Sequence, residues 1–128
     1  MAIITVPTSR DIYIEINGQK LAVAQSYKVK TTRESRYVEA FGSEEPVGTI
    51  GGRTRHVVEL SRVVISEGAL SDGVDFYALS GFNLVIVKPD RKLIYSGCEW
   101  SEISENANLN DTVIEWISLV AQKRMEVR

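Results

Sequence analysis

The chain has 128 residues, a single cysteine, a net charge of −2 and a pI of about 5.5. That length is one domain's worth, and such a chain buries roughly two-thirds of its unfolded surface, enough for a core without staples. With 44% hydrophobic and 25% charged residues, the composition excludes a disordered chain, an internal disulfide framework and a global basic field for nucleic acid.

The longest apolar run, Leu84-Val85-Ile86-Val87, is far too short to span a bilayer. The opening MAIITVPTSR has neither a basic start nor an extended apolar stretch, so a secretory signal is not expected. Synthesis in the cytoplasm and no membrane insertion are the resulting expectations.

Ile12, Ile14 and Ile16 alternate with Tyr13 and Glu15, the period-2 pattern of a half-buried strand. Asn17-Gly18 follows, a pair that tolerates the positive φ of a type I′ hairpin turn. The second strand begins at Lys20 and does not stop cleanly: Tyr27, Val29, Thr31, Tyr37 and Val38 keep strand character up to Phe41. Gly42 to Pro46 reads as a turn, Val47 to Ile50 as a returning strand, and Arg53 to Ile65 as a long strand after the Gly51-Gly52 interruption. In that strand Val58, Leu60 and Val64 are expected on one face, opposite Val57, Glu59 and Val63.

Val74 to Leu79 fits a short helix, with Ser71 or Asp72 as N-cap and Gly81 as C-cap. Asn83 to Val87 is apolar on both faces and so reads as a central strand, joined by the turn Pro89 to Lys92 to a strand from Leu93 to Glu102. Asn110 to Arg128 fits a helix through Val113, Ile117, Val120 and Ala121, with Thr112 and Glu115 as a capping box. As a strand it places Val113, Ile117, Leu119, Ala121, Met125 and Val127 on one face, and its β-branched and aromatic density favours that choice. The fold class is mainly β: one domain over residues 1–128, a β-sandwich or partly closed barrel with one short flanking helix.

No catalytic constellation emerges. His56 stands in a strand with no second histidine, and the expectation is a solvent-facing side chain rather than a metal ligand or half of a dyad with Cys98. Cys98 has no adjacent cation to activate it and reads as a small core residue. Gly48-Thr49-Ile50-Gly51-Gly52-Arg53 looks like an anion cradle, but a strand follows instead of a helix, so close backbone approach is the better account. Glu34, Glu39, Glu44, Glu45, Glu99, Glu102 and Glu105 offer carboxylates with no visible pairing. Lys28, Lys30, Arg33 and Arg36 form a modest basic strip beside Tyr27 and Tyr37, interrupted by Glu34 and Glu39. That strip supports an alternative reading as a small β-barrel binding module for single-stranded nucleic acid or a peptide strand. Catalytic, cofactor and metal sites are all expected to be absent, and the chain is not read as an enzyme.

The two arms between residues 20 and 65 are each far longer than a usual strand of about 5–6 residues. At ~3.3 Å per residue they outrun the body of so small a domain, giving a protruding ribbon over about residues 27–56. Ribbons of this kind are tolerable when identical copies cover one another's edges. Arg33, Glu34, Arg36, Tyr37, Glu39, Glu44, Glu45, Arg53 and Arg55 are therefore the candidate contacts between subunits, with alternating charge fixing register.

Four stretches, DIYIEINGQKLAVAQSYKVK, ESRYVEAFGSEEPVG, YALSGFNLVIVKPDRKLIYSGCEWSEISEN and NDTVIEWISLVAQKRMEV, cover most of the chain. In content and order they resemble the tail tube proteins of phages, prophages and phage-tail-like contractile bacteriocins. The resemblance implies a β-sandwich or barrel with one flanking helix, assembled as hexameric rings stacked into a tube. It makes the ribbon loop a contact with the next ring or neighbour, and the inner wall a conduit with DNA as passing cargo. A sheath and baseplate or terminator proteins are implied partners, in a virion tail or tail-like particle made in the bacterial cytoplasm. Tube-initiating and neck-ring proteins share this fold, no cofactor or catalytic position comes with it, and the likeness tips the C-terminal segment further toward strand.

Overall fold

The computed structural model describes residues 12–66, 73, 75–105 and 113–128. Among these residues nine strands follow in chain order: β1 (Ile12–Ile16), β2 (Gln19–Arg33), β3 (Arg36–Val38), β4 (Gly48–Ile50), β5 (Thr54–Ile65), β6 (Phe82–Val87), β7 (Lys92–Glu105), β8 (Val113–Ala121) and β9 (Lys123–Val127). The only helical piece among the described residues is a 3-10 turn at Phe76–Ala78. The chain is mainly β, as its alternation implies.

Seven strands form one antiparallel sheet in the order β6-β1-β2-β5-β8-β7-β9, and an added β6–β7 pairing closes it into a ring. Two strands turn the corners. The first part of β2 pairs with β1 and the rest with β5 alone, while β7 pairs with β6 and β9 early and with β8 late. The result is two half-sheets sharing β2 and β7, so the features of a sandwich and of a closing barrel coexist.

The hairpin between β1 and β2 turns where Asn17 (φ 52) and Gly18 (φ 82) both adopt positive φ, as a type I′ turn requires. Inward residues Ile14, Ala22, Val58, Leu60, Leu84, Phe82, Ile117 and Leu119 are fully or almost fully buried and form one core. Burying each large apolar side chain contributes about 1.5–3 kcal/mol.

Strand β5 departs from strict alternation. His56, Val58 and Leu60 face inward, but so does Val63, while Val64 is 40% exposed. The expected pairing of Val64 with Val58 and Leu60 is therefore wrong, and Arg62 explains it. Its φ of 52 inserts a half-turn that flips every later side chain. At the same level β2 switches from Ala22 and Ala24 inward to Tyr27 and Val29, and β8 from Ile114 to Ile117 and Leu119. Three neighbouring strands bend together there, and register is kept.

The C-terminal segment is strand, not helix, and it breaks at Gln122, whose backbone N–H donates to Ser96 O at 3.0 Å. Ile117 and Leu119 hold the predicted face, but Met125 and Val127 are exposed beyond the break; the side chain of Val113 lies outside the description. The expected short helix shrinks to the 3-10 turn, capped by Asp75, whose side chain accepts from Tyr77 N. Leu79, not Gly81, closes it, and Ser71 and Asp72 lie outside the described residues.

Candidate assembly interface

The upper part of β2 runs antiparallel to β5 from Ala22–Ile65 to Arg33–Thr54. Glu34 N donating to Arg53 O at 2.9 Å adds one further rung, and β3 then pairs with β4 as a separate two-stranded sheet. From Thr31 to Arg55 no residue is buried, and only Val38 and Ala40 are half-buried. The ribbon thus leaves the core, as the strand lengths predict.

Its waist is held by close backbone approach. A Cβ on Gly51 would fall 2.0 Å from the Arg33 guanidinium, and one on Gly52 would fall 2.0 Å from the Glu34 carbonyl oxygen. Arg33 Nε also donates to Gly52 O at 3.4 Å. The Gly48–Arg53 stretch is accordingly a crossing point for two chains, not an anion cradle.

The predicted contact residues divide into two groups. Arg33, Glu34 and Arg55 are engaged within the chain, Arg55 reaching Glu34 at 2.7 Å with both side chains largely exposed. Arg36, Tyr37, Glu39, Glu44, Glu45 and Arg53 are exposed along the outer ribbon. Phe41, which the charge pattern did not single out, is fully exposed at the tip, and Val47 is exposed beside it.

Below the ribbon, the upper β2, β5, β8 and late β7 form a four-stranded half-sheet. Among the described residues, β2 beyond Ala24 and β7 beyond Cys98 each have a strand on one side only. On the outer face the cross-strand rows follow a rule. One row runs Lys30, Val57, Val120, Glu99, and the next runs Lys28, Glu59, Ser118, Glu102. Each starts with a cation on one edge strand and ends with a carboxylate on the other. The 3-10 turn flanks the β7 edge through side chains: Trp100 Nε1 donates to Tyr77 O at 3.0 Å, and the Tyr77 hydroxyl donates to Glu105. Glu99 accepts from Ser80 Oγ at 2.7 Å and from Gly81 N at 3.1 Å.

His56 is buried rather than solvent-facing, which corrects the sequence expectation. The flat strand pattern hid that its face turns onto Tyr95, whose ring lies edge-on at 5.7 Å. Its Nδ1 is 3.0 Å from Thr31 Oγ1. Cys98 is fully buried, and its thiol donates to Tyr95 O at 3.2 Å. Burial pushes that thiol up to about 12, with Glu99 adding to the rise and a backbone hydrogen bond from Leu84 opposing it. Among the described residues no hydrogen bond joins His56 to Cys98, and no group of three His, Cys, Asp or Glu is placed to hold a metal. No helix among them is long and apolar enough to cross a membrane.

One comparison bears on this arrangement. A chain from the virion of a native gene transfer agent particle superposes with a TM-score of 0.59, at 11% identity, over 96% of this chain and 100% of that one. The two chains share a fold. No family model matches, and no curated relative does.

Sequence reading had found Lys28 and Lys30 as a basic strip and Glu99 and Glu102 as scattered carboxylates. It missed that they terminate common rows, because register between distant strands is set by tertiary pairing.

Proposed function

We propose that the chain is a structural subunit that self-assembles head to tail into closed rings, hexameric by the resemblance, which stack as the inner tail tube of a phage or phage-tail-like particle. The observation that carries this is a pair of edges with opposite charge, each with a neighbouring strand on one side only among the described residues. Setting the β2 edge of one copy beside the β7 edge of the next brings Lys28 and Lys30 against Glu102 and Glu99 and continues the half-sheet across the boundary. Such a contact uses two different patches, so it propagates and closes into a ring when the rotation allows. Closure removes edges that would otherwise template aggregation.

The shared fold with a chain of a gene transfer agent virion supports a particle setting. The role is geometric and not enzymatic: no cofactor takes part, the wall bounds a conduit, and DNA is passing cargo. A sheath and terminating proteins are the outer partners of such a tube.

Negative-stain microscopy of the concentrated protein tests this, with rings or tubes of uniform width expected. The Lys28→Glu/Lys30→Glu protein should stay folded and fail to form them. A wild-type chain that remains monomeric at high concentration counts against the reading. If that monomer instead binds single-stranded nucleic acid in a salt-sensitive way, the basic β2 edge beside Tyr27 serves a binding module.

A further inference from the structure

The charged rows have apolar counterparts on the core side of the same half-sheet. Val29 pairs with Val58, Val58 with Leu119 and Leu119 with Trp100; the next row runs Tyr27, Leu60, Ile117, Ile103. In both rows the two middle residues are completely buried, while the two ends pack on the core and are only half-buried. Burial falls off at the ends because β2 beyond Ala24 and β7 beyond Cys98 each have a strand on one side only among the described residues. Tyr27 also borders a cavity of about 450 Å³ that opens beside β2, so its own chain does not pack every side of the ring. Trp100 is held in place: Nε1 donates to Tyr77 O at 3.0 Å, and the two rings meet edge-on at 6.1 Å. The 3-10 turn that carries Tyr77 is itself pinned by Phe76 and Leu79 in the core.

We infer that these row ends form an apolar seam between adjacent copies, Val29 of one against Trp100 of the next and Tyr27 against Ile103. The seam supplies the greater part of the affinity of each joint, and the charged rows on the other face set its register. The inference rests on the ring reading above and names the residues that hold a joint together. Three antiparallel pairings separate β2 from β7, so the two strands run in opposite directions. Laying β2 of one copy beside β7 of the next therefore adds one more antiparallel pair. A single register then serves both faces: it sets Lys30, Val29, Lys28 and Tyr27 against Glu99, Trp100, Glu102 and Ile103, with Ser101 as the extra residue at the β7 bulge. An indole already fixed by its own chain loses little freedom on docking. Buried aromatic anchors concentrate binding energy at interfaces, whereas surrounding charges steer and select.

Val29→Thr keeps the side-chain shape and both charged rows, and should raise the protein concentration needed for rings about tenfold, the equivalent of one buried valine. Trp100→Ala should raise it further, with circular dichroism confirming that the subunit is folded. Unaltered rings should persist in about 1 M salt, where exposed charge pairs are screened and apolar contact is not. Mixing Tyr27→Cys with Ile103→Cys under mild oxidation should give a covalent heterodimer that neither protein forms alone, since Cys98 is buried and does not compete. Rings at the wild-type concentration in Val29→Thr, rings that dissolve in salt, homodimers of Tyr27→Cys, or a mixture that forms rings without the cross-link would each overturn the seam and leave the ring reading standing. Failure of the ring reading is visible separately, as an unaltered protein that forms no rings, and it removes the seam as well.

Discussion

Lys30 on β2 and Glu99 on β7 stand at opposite ends of one cross-strand row, with Val57 and Val120 between them. The same polarity recurs in the row from Lys28 to Glu102. In a single molecule these charges are three strand spacings apart, roughly 14 Å, and gain little from each other. Between side-by-side copies they become neighbours.

A charge exchange follows from that polarity. In the proposed ring, Lys28→Glu places a carboxylate against Glu102 of the next copy, replacing an attraction by a repulsion at a cost of about 1–2 kcal/mol per contact, beside a new repulsion with Glu59 across its own strand pair. Assembly should then require about tenfold more protein. Adding Glu102→Lys to the same chain should restore the wild-type midpoint. Sedimentation velocity across a concentration series reads both effects, and an unrestored double variant would count against edge-to-edge packing.

The ribbon waist should be sensitive to one glycine more than its neighbour. Gly52→Ala drives a Cβ into the Glu34 carbonyl, a backbone atom that cannot swing aside, and should destabilise the ribbon by about 1–3 kcal/mol. Gly51→Ala meets only the Arg33 side chain, which can rotate away, and should cost less. Amide exchange should rise in β3 and β4 for Gly52→Ala, with the core of β5 and β8 unchanged. Removing the exposed Glu34–Arg55 pair by Glu34→Ala should shift stability by less than about 1 kcal/mol.

The Cys98 thiol gives a pH signature. Its folded pKa is raised to about 12 from an ordinary 9.0, so the folded state favours the neutral thiol. Stability from this source is complete below pH 9 and declines as pH rises from 9 toward 12, where the unfolded chain ionises first. In the native protein at pH 8 the thiol should resist alkylation and should react only on denaturation. Rapid native alkylation would show that Cys98 is not held as described.

His56 ties the root of the ribbon to the core through Thr31 and the Tyr95 ring. His56→Ala leaves a cavity and removes a polar contact, with an expected loss of about 2–4 kcal/mol in denaturant unfolding. His56→Gln, which retains a hydrogen-bonding group for Thr31, should lose less.

Much of the architecture is legible along the chain because it depends on near neighbours. Alternation at Ile12, Ile14 and Ile16 marks β1, Asn17-Gly18 marks its turn, and β-branched density marks β8. The excess length of β2 and β5 announces a ribbon. Where the reading failed, at Val63 and Val64 and beyond Gln122, a local break reversed which face points inward. A period-2 pattern carries no warning of a bend shared by three strands, since the bend is a property of the sheet. His56 was misplaced for the same reason: its burial comes from Tyr95, 39 residues on.

Local sequence chemistry alone determined that this protein is a β domain with more strand than its core can cover. Register and corner-turning in the folded chain decided the rest: which charges share a row, which strands lie at edges, and where a cavity opens beside β2. Those outcomes depend on contacts between residues far apart in sequence. Hydrogen-bonded pairing fixes them only when the sheet closes on itself.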